Sequence, residues 1–193
     1  EYQIDGLRLD AADHLDMGFM RDLGGWCRRL KPDFWLMGEV VKGPYSRWLE
    51  DGGLDSVTNY ECYKGLYSSH NDGNYHEIAY TLRRQFGEYG LYRSASLYTF
   101  VDNHDVARVA SRLDNPAHLY PLYCLLFTIP GSPAIYYGSE FGLQGAKSQR
   151  DDWALRPALN LKHLRGNPRF FDLMRAITRL AYLRAELPAL RRG

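Results

Sequence analysis

The sequence has few cysteines, no excess of either charge and no unbroken apolar run. Its 193 residues hold three cysteines, Cys27, Cys62 and Cys124. They are odd in number, far apart and in no C-x-x-C pair, so they read as small buried hydrophobes of a reducing compartment rather than a disulfide framework or a zinc site. Basic and acidic residues number 24 and 23, for a formal net charge of +1, with no run of Lys or Arg. Binding to nucleic acid or to an anionic membrane surface therefore has no compositional support. The longest apolar stretch, Leu119–Tyr137, is broken by Pro121, Pro130, Gly131 and Pro133 and cannot be one spanning helix. No signal peptide is visible. The first residue is Glu1 and not Met, so the chain reads as a piece of something longer. Its localisation stays open, leaning cytoplasmic on the cysteines alone.

Several chemistries are missing too. There is no G-x-G-x-x-G or P-loop after the first strand, and no G-x-S-x-G. His76-Glu77 opens like H-E-x-x-H, but Tyr80 stands where the second His belongs. The six histidines, His14, His70, His76, His104, His118 and His163, show no metal-ligand spacing, so no metal site is expected.

What the sequence does have is 45% hydrophobic and 24% charged residues, an ordinary globular balance over a length that suits one domain. Aromatics reach 14%, with 15 tyrosines, rings with a polar tip that suit sugars but also fill cores. Strand and helix signals alternate along the chain. Ile4–Ala11 has period two, and Asp16 stands ahead of an amphipathic run, Met17–Leu30, that Lys31-Pro32 ends. Phe34–Val41 is of strand length, and Leu54–Tyr60 is a strand after the turn Asp51-Gly52-Gly53. Residues 75–88 read as helix, Leu97–Asp102 as strand, Leu119–Thr128 as helix, Ala134–Tyr137 as a short buried strand and Phe170–Leu187 as a long helix.

This alternation predicts an α/β fold, a parallel sheet covered by helices. The candidates are a doubly wound open sheet and a (β/α) barrel. The nucleotide-binding signatures of the first are absent. Polar residues collect instead at strand ends: Arg8 and Asp10 after the first strand, Glu39 after the second, and Asp102, His104 and Asp105 after the Leu97 strand. That distribution is what a barrel active site needs, and with about five strand segments along the chain it favours the (β/α) barrel.

Arg8 and Asp10, two apart in a strand, share one face, with Leu7 and Leu9 on the other. A cation beside a carboxylate holds it ionised, as a nucleophilic Asp requires. A structural ion pair fits the same pattern. Glu39 in the apolar segment MGEVV is costly unless paired or functional, and burial of a carboxyl favours its protonated form, which a general acid needs. After Val101, Asn103 or Asp105 could instead cap a helix beginning near Ala107. Taken together, one carboxylate as nucleophile and another as acid/base meet the requirement of retaining glycoside cleavage.

These segments resemble, in order, the α-amylase family, glycoside hydrolase family 13. DGLRLDAADH (Asp5–His14) is similar to the nucleophile strand and GEV (Gly38–Val40) to the acid/base strand. FVDNHD (Phe100–Asp105) is similar to the strand of the third carboxylate, and GSPAIYYGSE (Gly131–Glu140) to the last barrel strand. LRPAL (Leu155–Leu159) resembles a loop found in some members, and LRAELPALRRG (Leu183–Gly193) the last barrel helix.

The resemblance implies catalytic roles for Asp10 as nucleophile, Glu39 as acid then base, and Asp105 as the group that grips and distorts the sugar. Arg8, His104 and His14 would bind substrate, with Asp13 standing where many α-amylases carry Lys. It implies a partial (β/α)8 catalytic domain over 1–193, from the fourth strand to the eighth helix, with 188–193 starting a connection to a C-terminal domain. No cofactor is implied, and the family's structural calcium site is expected to be incomplete. The implied substrate is an α-1,4-glucan or maltooligosaccharide; neither nucleic acid nor membrane is expected as a partner. Five strands cannot close a barrel, so self-association or the missing barrel half would cover the open sheet edges. A catalytically incomplete half-barrel and a non-catalytic carbohydrate-binding module remain as alternatives.

Overall fold

The computed structural model describes residues 3–149, 151–166 and 168–192, with backbone alone for 168–170 and 192. The first strand, β1 (Gly6–Leu9), turns through residues 12–14 into α1 (Met17–Leu30), followed by β2 (Trp35–Gly38) and β3 (Ser56–Val57). Two antiparallel-packed helices, α2 (Tyr60–Asn71) and α3 (His76–Phe86), lead to β4 (Tyr98–Phe100). The short α4 (Val109–Arg112) and α5 (Leu119–Thr128) then precede β5 (Ser132–Ala134). After a loop come α6 (Leu161–Gly166), α7 (Pro168–Glu186) and α8 (Pro188–Arg192).

Every strand pair is parallel. β2 lies between β1 and β3, β4 pairs with β5, and a parallel bridge from Thr58 to Tyr98 joins the two sheets. The strands therefore follow one another in chain order. A doubly wound sheet reverses its order at a switch point; a barrel wall does not. The order decides for the barrel-type arrangement.

Local chemistry explains most boundaries. The Asp16 carboxylate accepts from the Phe19 amide at 2.8 Å, an N-cap at the first turn of α1, and the helix stops at Lys31 as expected. Two expected strands are shorter or displaced. Leu54–Tyr60 shrinks to Ser56–Val57 because the buried side chain of Asn59 accepts from the Cys62 amide and starts α2, a helix that the strand reading overlooked. The strand placed at Ala134–Tyr137 lies instead at Ser132–Ala134. Gly131, at φ +100° and with the Leu97 carbonyl where a Cβ would sit, turns the chain so that Ser132 donates to that carbonyl at 2.8 Å. Pro133 is tolerated because β5 pairs on one side only among the described residues.

Two larger cores and a small cluster of Tyr63, Phe100 and Ala134 underlie the strands. Met20 and Cys27 of α1 pack with Leu36, Val40, Trp48, Leu54 and Val57, and Leu7 and Leu9 face this cluster, as the period-two reading requires. Leu66, Val109, Leu122, Leu126, Leu173 and Ile177 form the second. Each large apolar side chain so buried contributes about 1.5–3 kcal/mol. Cys27 and Cys62 are buried, but Cys124 is exposed: it lies on the outer side of α5, whose Leu122, Tyr123 and Leu126 face inward. The reading of all three cysteines as core residues fails there. Arg184 of α7 is buried and donates to the carbonyls of Phe127, Ile129 and Gly131, tying the end of α5 to the approach of β5. The expected connection at 188–193 is helical through Arg192, and its last residue lies outside the described ones.

Candidate active site

At the C-terminal ends of β1 and β2 one guanidinium joins two carboxylates. Arg8 Nη1 lies 2.6 Å from Asp10 Oδ1, and Arg8 Nη2 lies 2.9 Å from Glu39 Oε2. Asp10 is open to solvent, its side chain 78% exposed, whereas that of Glu39 is 11% exposed. The Arg8 contact, by hydrogen bond and by charge, holds the Asp10 carboxyl below its ordinary value. Glu39 is fixed from a second side, since its Oε2 also accepts from the Ala11 amide at 3.2 Å, and its carbonyl accepts from Ala12.

The backbone is forced into place here. Ala11 has φ 45° and ψ 44°, a left-handed conformation that costs a non-glycine residue about 1–2 kcal/mol. Gly38 packs so tightly that a Cβ would come within 2.5 Å of Leu54 and 2.9 Å of Ala12. These two positions aim Asp10 and Glu39 at one another.

The end of β4 supplies the other half. His104 Nε2 lies 3.0 Å from Asp105 Oδ2, and Arg156, from the turn after Trp153–Leu155, reaches Asp105 Oδ1 at 3.4 Å and Asp152 at 2.8 Å. The capping role considered for Asn103 or Asp105 falls elsewhere. The helix begins at Val109, whose amide is bound by the buried Asp102 carboxylate at 2.8 Å, while Asn103 Oδ1 accepts from the Asp105 and Val106 amides and shapes the loop. Burial raises the Asp102 carboxyl above its ordinary value.

Tyr60 sits between the halves. Its hydroxyl accepts from Asn103 Nδ2 at 3.0 Å, and it lies within electrostatic reach of Glu39, Asp105 and Arg8; burial, ahead of these charges, raises its pKa. His104 likewise lies within electrostatic reach of Asp10, so the two strand ends are neighbours. The structure thus gathers Arg8, Asp10, Glu39, His104 and Asp105. It does not gather His14, which is almost wholly exposed beside Asp13 at 3.8 Å.

Tyr60 and Arg156 were missed from sequence. A lone Tyr at the first position of an unforeseen helix carries no signal. Arg156 stood in plain view inside LRPAL, but its partner is 51 residues away. The open H-E pair of His76-Glu77 is accounted for by packing: Glu77 binds Lys64 and Ser68. Among the described residues no three or more His, Cys, Asp or Glu side chains converge on a point that could hold a metal ion, and no helix is long and apolar enough to cross a membrane.

The family description "Alpha amylase, catalytic domain" matches residues 1–166. A cyclomaltodextrinase from a Bacillus species is 30% identical over 190 residues, covering 97% of this chain and 33% of its own length. Neopullulanase 2 from Thermoactinomyces vulgaris is 30% identical over 190 residues, covering 97% of this chain and 32% of its own. The chain spans about a third of the length of these relatives. Among solved structures, the cyclic α-maltosyl-(1→6)-maltose hydrolase of Arthrobacter globiformis in complex with that sugar superposes with a TM-score of 0.82 at 29% identity, over 99% of this chain and 42% of that one. With its parallel strands in barrel order and its charged strand ends on one side, the chain belongs to the α-amylase family, within the catalytic domain.

Proposed function

We propose that this chain supplies the fourth to eighth β/α units of an α-amylase barrel, and that the assembled barrel is a retaining α-glycosidase acting on α-1,4-glucans or maltooligosaccharides. The observation that carries the reading is the Arg8 guanidinium shared by Asp10 and Glu39. It keeps Asp10 ionised and poised as a nucleophile beside a second, sheltered carboxyl, the paired arrangement of a retaining mechanism.

In the first step an Asp10 oxygen attacks the anomeric carbon, and the glycosidic C–O bond breaks as Glu39 gives its proton to the leaving oxygen. In the second, Glu39 takes a proton from water, the water oxygen attacks the same carbon, and the bond to Asp10 breaks. Asp105 and His104 hold the hydroxyls of the distorted sugar, and Arg8 holds Asp10. Relatives bearing the names cyclomaltodextrinase and neopullulanase support an α-glucan substrate. The remaining barrel wall, or a second copy, covers the edges of β1 and β5.

The exposure of Asp10 favours a second reading, in which these residues alone form an incomplete half-site that binds or scaffolds without turnover. Cleavage of maltotetraose separates the two, with Asp10→Asn as the blank and the anomer of the first product read by NMR. The proposal expects turnover with retained α-configuration in the assembled barrel and none in Asp10→Asn. Inverted product, or appreciable cleavage by Asp10→Asn, would overturn it.

A further inference from the structure

Arg108 is the largest fully buried side chain of the described residues, and no role in the chemistry above falls to it. A buried guanidinium is costly unless its donors are met. Here the Nη donors reach two segments, 137–139 and Leu155, while Nε has no hydrogen-bond partner among the described residues. Nη1 donates to the Tyr137 carbonyl and to Ser139 Oγ, the latter at 3.1 Å, and Nη2 donates to the Leu155 carbonyl at 2.7 Å. Its own amide donates to the Gly145 carbonyl at 2.9 Å. The guanidinium also lies under two rings, 4.2 Å from the centroid of Tyr136 and 5.2 Å from that of Tyr137. Ser139 in turn donates to Asp102 Oδ2 at 2.7 Å, which returns the connection to the base of the His104–Asp105 loop.

Three of these contacts lead towards the site. Leu155 precedes Arg156, the cation on Asp105. The Tyr136 ring stands 6.4 Å from that of His104. Asp102 leads directly into the loop bearing both His104 and Asp105.

We propose that Arg108 is the positioning residue of the Asp105 half-site, a single buried cation that sets the 153–156 turn and the Tyr136 ring against the end of β4 so that Arg156 and His104 meet Asp105. This deepens the glycosidase reading, on which the importance of Asp105 rests, but it concerns geometry in the unliganded chain. Lysine at this position keeps the charge and cannot span three acceptors.

The test is therefore spectroscopic and independent of turnover. The His104 ring C–H resonance is recorded by NMR in the wild-type chain, Arg108→Lys, Arg156→Gln and the double variant, with thermal unfolding in parallel. Leu126→Ala, a core change in the same half, serves as a destabilised control. Arg156→Gln should displace the His104 resonance by more than a linewidth. Arg108→Lys should displace it in the same direction, the double variant should move it no further, and Leu126→Ala should leave it in place. A purely structural Arg108 would lower the unfolding temperature and leave His104 unmoved, or add independently to Arg156→Gln; either result overturns the proposal. Should Arg108→Lys fail to fold, Ser139→Ala, which removes one acceptor and the link to Asp102, must give a smaller displacement in the same direction, and none would refute it. If maltotetraose cleavage fails in an assembled barrel while these displacements appear, the glycosidase reading falls and the positioning role stands.

Discussion

The two halves of the site are held by opposite means. At the ends of β1 and β2 the organising cation, Arg8, is partly exposed and touches the reacting carboxylates themselves. At the ends of β4 and β5 the organising cation, Arg108, is wholly buried and touches carbonyls, rings and a serine but no group assigned to the chemistry. Coulomb attraction in water is weak and screened by salt, so the first half sets a protonation state without adding much stability. Hydrogen bonds to a desolvated guanidinium are strong because the alternative is an unpaired buried charge. The second half's cation therefore couples site geometry to folding, and the first half's does not.

The sharpest way to break this contrast is Arg108→Met. It leaves the Tyr137 and Leu155 carbonyls and the Ser139 hydroxyl without their donor, and at about 1–3 kcal/mol for each buried group left unmet a loss of about 3 kcal/mol or more in urea unfolding is expected. A loss below about 1 kcal/mol would mean that water replaces the guanidinium and that the second half is no more tightly built than the first.

Gly38→Ala comes next. A methyl group there meets Leu54 and Ala12, and overpacking of this kind costs about 1–3 kcal/mol. Since Ala12 also holds the Glu39 carbonyl, turnover in an assembled barrel should fall by more than the stability loss explains. An unchanged rate in Gly38→Ala would show that the close approach serves packing alone.

How much of this was legible in the sequence follows the same division. Period two placed Arg8 and Asp10 on one face, and the apolar setting of Glu39 marked it as paired; both are local signals, and both residues lie where that logic put them. The α1 boundaries were readable from Asp16 and Lys31-Pro32 for the same reason. What escaped depends on distant partners. Arg108 finds Leu155 47 residues on, and Arg156 finds Asp105 51 residues back. Asn59 looked like the end of a strand because its capping bond to Cys62 is invisible until the helix exists. β5 was misplaced by two residues because its position is set by pairing with β4, not by its own hydropathy.

A smaller effect sharpens the first half. Arg8→Gln should leave the unfolding midpoint nearly unmoved while the Asp10 carboxyl titrates closer to its ordinary 3.8, followed by carboxyl-carbon NMR. High salt should imitate the substitution in part. If Arg8→Gln instead unfolds the chain, Arg8 is a structural pair after all, the bland reading of Arg8 and Asp10 sharing a strand face.

The least effect, and the finest test of the contrast, lies in acid. His70, near the end of α2 in the core that carries the second half, is buried against Tyr75 and His118, with its Nδ1 on the Leu66 carbonyl at 2.7 Å. Burial, and after it the neighbouring His118, depresses its pKa below 6.5. The unfolded chain therefore takes up this proton first, so stability present above pH 6.5 is lost as the pH falls through 6.5 towards the folded value. Asp10 is depressed from 3.8, so what its pairing contributes survives until the pH drops below that value. Asp102 acts the other way: its folded pKa is raised, so its burial costs least once acid has protonated it. The experiment is a stability profile from pH 7 to pH 4.5 in an Asp102→Asn background, where that opposing contribution is absent. A decline that His70→Gln abolishes and Arg8→Gln leaves intact places the acid-sensitive link in the core that carries the second half. A decline that follows Arg8 would reverse the assignment, because the exposed half would then be the one that binds folding to charge.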